Sequence, residues 1–264
     1  MIIDSHVHLN DTELFPRVEE IIENAKKEGV KAFMCIGYDK ETSELAIEIA
    51  SMYEEVFAVI GIHPSAAKHC KESDLDWLEA NLTHPKVKGI GEMGLDYYWD
   101  RSYEAKQKDV FIKQINLANK YKLPIVVHMR DATNDTYEIL KEHKDKDLSG
   151  VMHCYSGSYE YVKNFTDLNL YISLAGPVTF KNARVPKEVA EKIDLNHLLV
   201  ETDAPYLAPV PNRGKTNESK YLKYIVKEIA NIKGVSYEEV ERHTFKNTVK
   251  LFNLSKELKE NLWD

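Results

Sequence analysis

Seven side chains of metal-binding type close or follow short apolar runs along this chain. His6 and His8 lie in Met1-Ile-Ile-Asp-Ser-His-Val-His-Leu-Asn10, and His63 follows Val56-Phe-Ala-Val-Ile-Gly-Ile62. Glu92 ends Val87-Lys-Gly-Ile-Gly-Glu92, His128 follows Leu123-Pro-Ile-Val-Val127, His153 follows Gly150-Val-Met152, and Asp203 follows Leu198-Leu-Val-Glu-Thr202. Imidazole nitrogens and carboxylate oxygens together suit zinc, manganese and iron. Alternate strand residues face one side, so His6 and His8 point together while Ser5 and Val7 point away.

Each residue has an ordinary alternative. A lone His-x-His is as readily the polar end of a strand, His128 or His153 alone a satisfied interior histidine, and Asp203 before Ala204-Pro205 a turn former. Together, inside apolar strands, they would leave several buried polar groups without partners unless ions held them. Four histidines and two carboxylates exceed the three protein ligands of a catalytic zinc and suit two ions. His6, His8 and Asp203 are assigned to one ion, His128 and His153 to the other, with Glu92 bridging them. Ions ~3.5–4 Å apart would activate a water as nucleophile. Asp203 is the candidate general base and Glu92 shares the catalytic assignment.

The elements that must position these groups follow from hydrophobic periodicity. Helical spacing is expected over 17–28, 41–53, 75–82, 103–121, 132–142, 159–168, 187–192, 218–233 and 237–251. Strands are expected at the start of the chain and over 31–37, 56–62, 87–92, 123–127, 150–152, 170–174 and 198–202, with 93–99 read as a loop. Eight strands alternating with helices make an α/β fold, a single (β/α)8 TIM barrel over residues 1–264. Catalytic groups of such barrels gather at the C-terminal ends of the strands, where all seven residues fall.

At 264 residues, 43% hydrophobic and 30% charged, the chain has ordinary globular composition and no low-complexity linker. Its net charge of −8 argues against a broad cationic surface for nucleic acid, so local cations must attract any phosphate. Cys35, Cys70 and Cys154 show no C-x-x-C spacing, which fits a reducing cytoplasm better than a disulfide framework. The first strand is expected from residue 2, which leaves no room for a signal peptide, and no apolar run nears the ~18 residues of a membrane span. No obligate protein partner is evident.

At these residues the chain resembles the TatD family of metal-dependent deoxyribonucleases, among the amidohydrolase-like barrels. The similar stretches are Ile3-Asp-Ser-His-Val-His8, Gly61-Ile-His-Pro64, Gly89-Ile-Gly-Glu-Met-Gly-Leu-Asp96, His128-Met-Arg-Asp131, His153-Cys-Tyr-Ser-Gly157, Glu201-Thr-Asp-Ala-Pro-Tyr-Leu207 and Arg213-Gly-Lys-Thr-Asn-Glu218. They span essentially the whole barrel in order. The resemblance implies a phosphodiesterase supported by two divalent ions, magnesium, manganese or zinc, acting on DNA and often as a 3′-to-5′ exonuclease on single strands. It carries the metal ligands to His6, His8, Glu92, His128, His153 and Asp203, and makes His63 similar to a histidine that faces the substrate phosphate. Met129 stands where relatives often have serine and Ser219 where they often have proline, departures that touch substrate detail rather than the proposed ligands.

Arg130 and Arg213, with Lys215, are the candidate phosphate-binding cations, and Tyr155 and Ser156 are candidate contacts to the scissile group. An ion pair of Arg130 with Asp131 is an equally good reading. The Tyr97-Tyr98-Trp99 run offers either a packing anchor or a surface on which bases stack. Asp96 and Glu201 are expected to orient ligand histidines from behind, and Cys154 to face away as core. Two other classes share these features. Amidohydrolases, or an ester deacylase of aminoacyl-tRNA, would use the same activated water, although many binuclear amidohydrolases bridge their metals with a modified lysine where this chain has Glu92. A non-catalytic metal-binding protein would need neither a base nor phosphate-binding groups.

Overall fold

In a computed structural model describing residues 1–258, eight parallel strands form one sheet in sequential order, the (β/α)8 barrel expected from the alternation. The strands are β1 Ile2–Val7, β2 Val30–Ile36, β3 Val56–Ile60, β4 Val87–Asp96, β5 Ile125–Arg130, β6 Gly150–Met152, β7 Leu170–Leu174 and β8 Leu198–Val200. The helices are α1 Val18–Lys27, α2 Lys40–Met52, α3 Pro64–Ala67, α4 Glu72–Asn81, α5 Glu104–Tyr121, α6 Thr133–His143, α7 Tyr159–Asp167, α8 Arg184–Lys192, α9 Leu222–Lys233 and α10 Tyr237–Phe252. No helix among the described residues is long and apolar enough to cross a membrane.

The strands read as continuous apolar runs because both faces are covered. One parity, including Phe33, Cys35, Val56, Ala58 and Ile60, packs outward on the helices. The other, including Ala32, Met34, Ile36, Phe57 and Val59, fills the barrel interior with Phe245, Val249 and Phe252 of α10. On α1, Val18, Ile21, Ile22 and Ala25 form the buried stripe that the helical spacing implies. Caps fix where helices begin: the Asp39 carboxylate accepts the Thr42 amide at 2.8 Å before α2, and the Ser236 hydroxyl accepts the Glu239 amide at 3.1 Å before α10.

Most boundaries shift by a few residues, β5 for instance running on through His128 to Arg130, and the following differences matter most. β4 continues through Asp96 instead of ending at Glu92, so the stretch read as a loop carries Asp96 on a strand. α8 starts at Arg184 with Pro186 inside its first turn, where a missing amide costs nothing. A 3₁₀ turn over Ser219–Tyr221 precedes α9, and the short α3 was not expected.

The barrel closes where β1 meets the segment leaving β8. The Asp203 amide donates to the His6 carbonyl and the His8 amide to the Ala204 carbonyl, both at 2.9 Å. Behind them the buried Asp4 carboxylate accepts the Thr202 amide at 2.9 Å and the Thr202 hydroxyl at 2.6 Å. Asn217 braces the same segment, its side-chain amide donating to the carbonyls of Thr202 at 2.8 Å and Tyr206 at 2.7 Å. Closure therefore delivers residues from both ends of the chain to one place.

The opposite wall depends on a close approach. A methyl group on Gly94 would stand 1.9 Å from the His128 carbonyl oxygen, and the Gly94 φ of +144° disfavours any side chain. Gly94→Ala is expected to destabilise the protein by about 3 kcal/mol or more in urea unfolding, from overpacking and backbone strain together. A loss below about 1 kcal/mol would show that β4 and β5 are not held this tightly at His128.

Candidate metal centre

At the C-terminal mouth of the barrel the side chains of His6, His8, His63, Glu92, His128, His153 and Asp203 converge. Glu92 stands at the centre, buried. Its Oε2 lies 3.5 Å from His6 Nε2 and 3.8 Å from His8 Nε2. Its Oε1 lies 2.9 Å from His128 Nδ1, 3.2 Å from His153 Nε2 and 3.5 Å from His63 Nε2. Asp203 Oδ1 joins the first group, 3.4 Å from His8 Nε2 and 3.7 Å from His6 Nε2. His6 and His8 do point together, with their Nε2 atoms 3.3 Å apart, and the His6 ring stacks on that of His153 at 3.7 Å.

The hydrogen bonds behind the rings determine what the facing nitrogens offer. His8 Nδ1 lies 3.0 Å from the Ile36 carbonyl, His128 Nε2 lies 3.0 Å from Asp96 Oδ2, and His153 Nδ1 lies 2.8 Å from Glu201 Oε1. A carbonyl or carboxylate oxygen only accepts, so each of these nitrogens carries the proton. In a neutral ring the other nitrogen then presents a lone pair, and here it faces Glu92 or Asp203. Lone pairs meeting carboxylate oxygens at these distances require positive charge between them, from protons or from metal cations. The nitrogen and oxygen donor set fits divalent cations of the zinc and manganese type.

His63 differs. Its Nδ1 accepts the Ser65 amide at 3.0 Å as the cap of α3 and lies 2.7 Å from the Ser65 hydroxyl. The proton of the neutral ring is therefore on Nε2, aimed at Glu92, which makes His63 a donor beside the cluster rather than a ligand. Its position within ligand distance of Glu92 and His128 would otherwise suggest a third metal-binding group.

Protonation follows the same geometry. Burial and the neighbouring His128 push His63 down to about 3. His6 is lowered by burial and by His153. For His153 burial opposes charge, but Glu201 and Glu92 override it and raise the ring well above its ordinary value. His8 and His128 are raised against burial, the first by Asp203 and the second by Asp96 and Glu92. Asp203 is held below its ordinary value, its burial outweighed by the His8 hydrogen bond and the charges of His153 and His6. Glu92 is lowered further still, with burial opposed by His153 and His63.

The centre floors a cavity of about 490 Å³ that Arg130, Trp99, Tyr38, Ser65 and Tyr206 also line. Arg130 is not paired with Asp131; its guanidinium lies 3.7 Å from the centroid of the Tyr98 ring. Three further candidates lie elsewhere. Tyr155 is buried with its hydroxyl donating to the Ser158 carbonyl at 2.8 Å, Ser156 donates to the Met129 carbonyl at 3.3 Å, and the Arg213 guanidinium lies 4.2 Å over the Phe180 ring. None of the three lines the cavity. Cys154 is half-buried rather than core; it follows the end of β6 with a φ of +40° and does not line the cavity. Burial and the nearby Asp203 carboxylate raise its thiol well above the ordinary value. Tyr38, which comes after Gly37 at the end of β2, and Tyr206, in the loop after β8, were not singled out from the sequence; their place at the C-terminal ends of strands was the signal available.

The match to known proteins extends over nearly the whole chain. A family model described as TatD related DNase matches residues 3–253. The uncharacterised metal-dependent hydrolase YabD of Bacillus subtilis is 45% identical over 255 residues, covering 97% of this chain and 100% of that protein. The uncharacterised metal-dependent hydrolase YcfH of Escherichia coli K12 is 34% identical over 256 residues, with 96% of each chain covered. Among solved structures, YJJV, a TatD homologue from E. coli K12, superposes with a TM-score of 0.91 at 27% identity, covering 96% of this chain and 98% of that one.

The carboxylates behind the rings give a direct test of the centre. Asp96→Asn and Glu201→Gln are each expected to weaken manganese or zinc binding about 10- to 100-fold in calorimetric titration of chelated protein, because the histidine in front loses its fixed tautomer. Affinities equal to the parent in both variants would contradict a metal centre built on His128 and His153.

Proposed function

The chain belongs to the TatD-related family of metal-dependent hydrolases, and from that premise we propose that it is a two-metal deoxyribonuclease acting 3′-to-5′ on single-stranded ends. The observation that carries the reading is the division made by Glu92: Oε2 faces His6 and His8, and Oε1 faces His128 and His153. A carboxylate so divided could be shared by two ions, of which His6, His8 and Asp203 would hold one and His128 and His153 the other. Magnesium, manganese or zinc in these positions would lower the pKa of water and neutralise charge on a phosphoryl group.

The chain's own groups supply the rest. The Asp203 carboxylate lines the cavity beside His8 and His6, which makes it the group placed to accept the proton that an attacking water would release. His63 donates from Nε2 to a non-bridging phosphate oxygen. Arg130, which has no carboxylate partner among the described residues, supplies local positive charge at the mouth of an otherwise acidic protein. Asp96 and Glu201 hold the rings of His128 and His153. Cys35, Cys70 and Cys154 are all free thiols, which suits work in the reducing cytoplasm.

End-labelled single-stranded oligonucleotides, incubated with chelated protein resupplied separately with magnesium, manganese and zinc, test the proposal. Metal-dependent laddering from the 3′ end is expected, falling about 100-fold or more in Asp203→Asn. Confirmed binding of two ions without cleavage under any metal would refute it and turn attention to aminoacyl esters or amides.

A further inference from the structure

The loop after β4 holds two aromatic side chains in water beside the centre. Tyr98 is 52% exposed and Trp99 76% exposed, the largest exposure of any large hydrophobic residue among those described. They are not loosely tethered. Tyr97 roots the loop, buried, with its hydroxyl donating to Asp135 Oδ2 at 2.8 Å, and Tyr98 packs edge-on against Trp99 at 4.8 Å. The Arg130 guanidinium sits 3.7 Å from the Tyr98 centroid and 5.6 Å from that of Trp99. Trp99 and Arg130 line the same cavity as Glu92 and Asp203. A flat indole in solvent thus adjoins a guanidinium and a cluster suited to metals.

We infer that Trp99 is a stacking platform for a nucleobase, with Arg130 holding the phosphate of the same strand. The inference rests on the nuclease reading and names how that site grips its substrate. Nucleic acid is the favoured occupant for two reasons. An indole beside a guanidinium matches the base and phosphate of one nucleotide. A chain with a net charge of −8 is poorly suited to gripping a polyanion through many ionic contacts, which favours a share of the affinity from non-ionic stacking. Bases inside a duplex already stack on one another and cannot reach Trp99, so the platform selects single strands and frayed ends. Purines, with the larger π-face, bind better than pyrimidines.

Two readouts test this with the full chain. In manganese-loaded protein, Trp99→Ala is expected to raise KM for short oligodeoxyadenylate about 10-fold and for oligothymidylate less, with the loss in KM rather than kcat and most of it restored in Trp99→Phe. Independently of cleavage, oligodeoxyadenylate should quench tryptophan fluorescence in the parent protein but not in Trp99→Phe. Cleavage by the parent with KM unchanged in Trp99→Ala and no Trp99-dependent quenching would overturn the platform and leave the nuclease reading intact. Quenching through Trp99 without cleavage would support the platform and overturn the nuclease reading. Neither cleavage nor quenching would overturn both.

Discussion

A buried carboxylate ringed by imidazoles is the constraint on which this structure turns. Nitrogens of five histidines stand within 3.8 Å of the two Glu92 oxygens, and three of those rings are pinned from behind by Ile36, Asp96 and Glu201. Pinning fixes each tautomer, so lone pairs are turned inward on a group that is itself negative. Such a centre is costly in a protein interior unless positive charge stands between the rings and the carboxylates, supplied by protons on the rings or by metal cations. With cations, the same geometry is pre-organised for them and the surrounding strands hold it rigid.

The position of the centre follows from the way a barrel closes. β1 contributes His6 and the residue just past its end is His8, while the segment after β8 contributes Asp203, and the hydrogen bonds that join them also complete the sheet. Stability and function therefore share a seam. The buried pairing of Asp4 with Thr202 secures it from below, and Asn217 secures it from the loop above. Across the barrel, the missing side chain at Gly94 lets β4 and β5 approach closely enough to bring His128 onto Glu92.

Much of this was legible in the chain because two signals coincide: apolar runs mark strands, and a barrel gathers whatever ends those runs. The parity of His6 and His8 followed from strand geometry, and the support of ligand histidines by Asp96 and Glu201 from the acceptors such rings need behind them; that Asp96 backs His128 and Glu201 backs His153 did not. What failed did so for local reasons. Gly94 lies in the part of β4 that was read as a loop, and Pro186 hid the first turn of α8. Tyr155, Ser156 and Arg213 were chosen for lying near ligands or cations in sequence, yet each is occupied by a carbonyl or an aromatic ring away from the cavity. The tautomer of His63 depends on the Ser65 amide, and the split of Tyr97 into the interior from Tyr98 and Trp99 in solvent depends on Asp135, contacts that no spacing rule specifies.

The number of ions that bind around Glu92 decides whether it can bridge them. Crystals grown with manganese and measured at an energy where manganese scatters anomalously would show them individually. Two peaks are expected, one among His6, His8 and Asp203 and one between His128 and His153, with Glu92 between them. A single peak, or none at saturating manganese, would contradict the bridging role of Glu92 and the two-metal chemistry built on it.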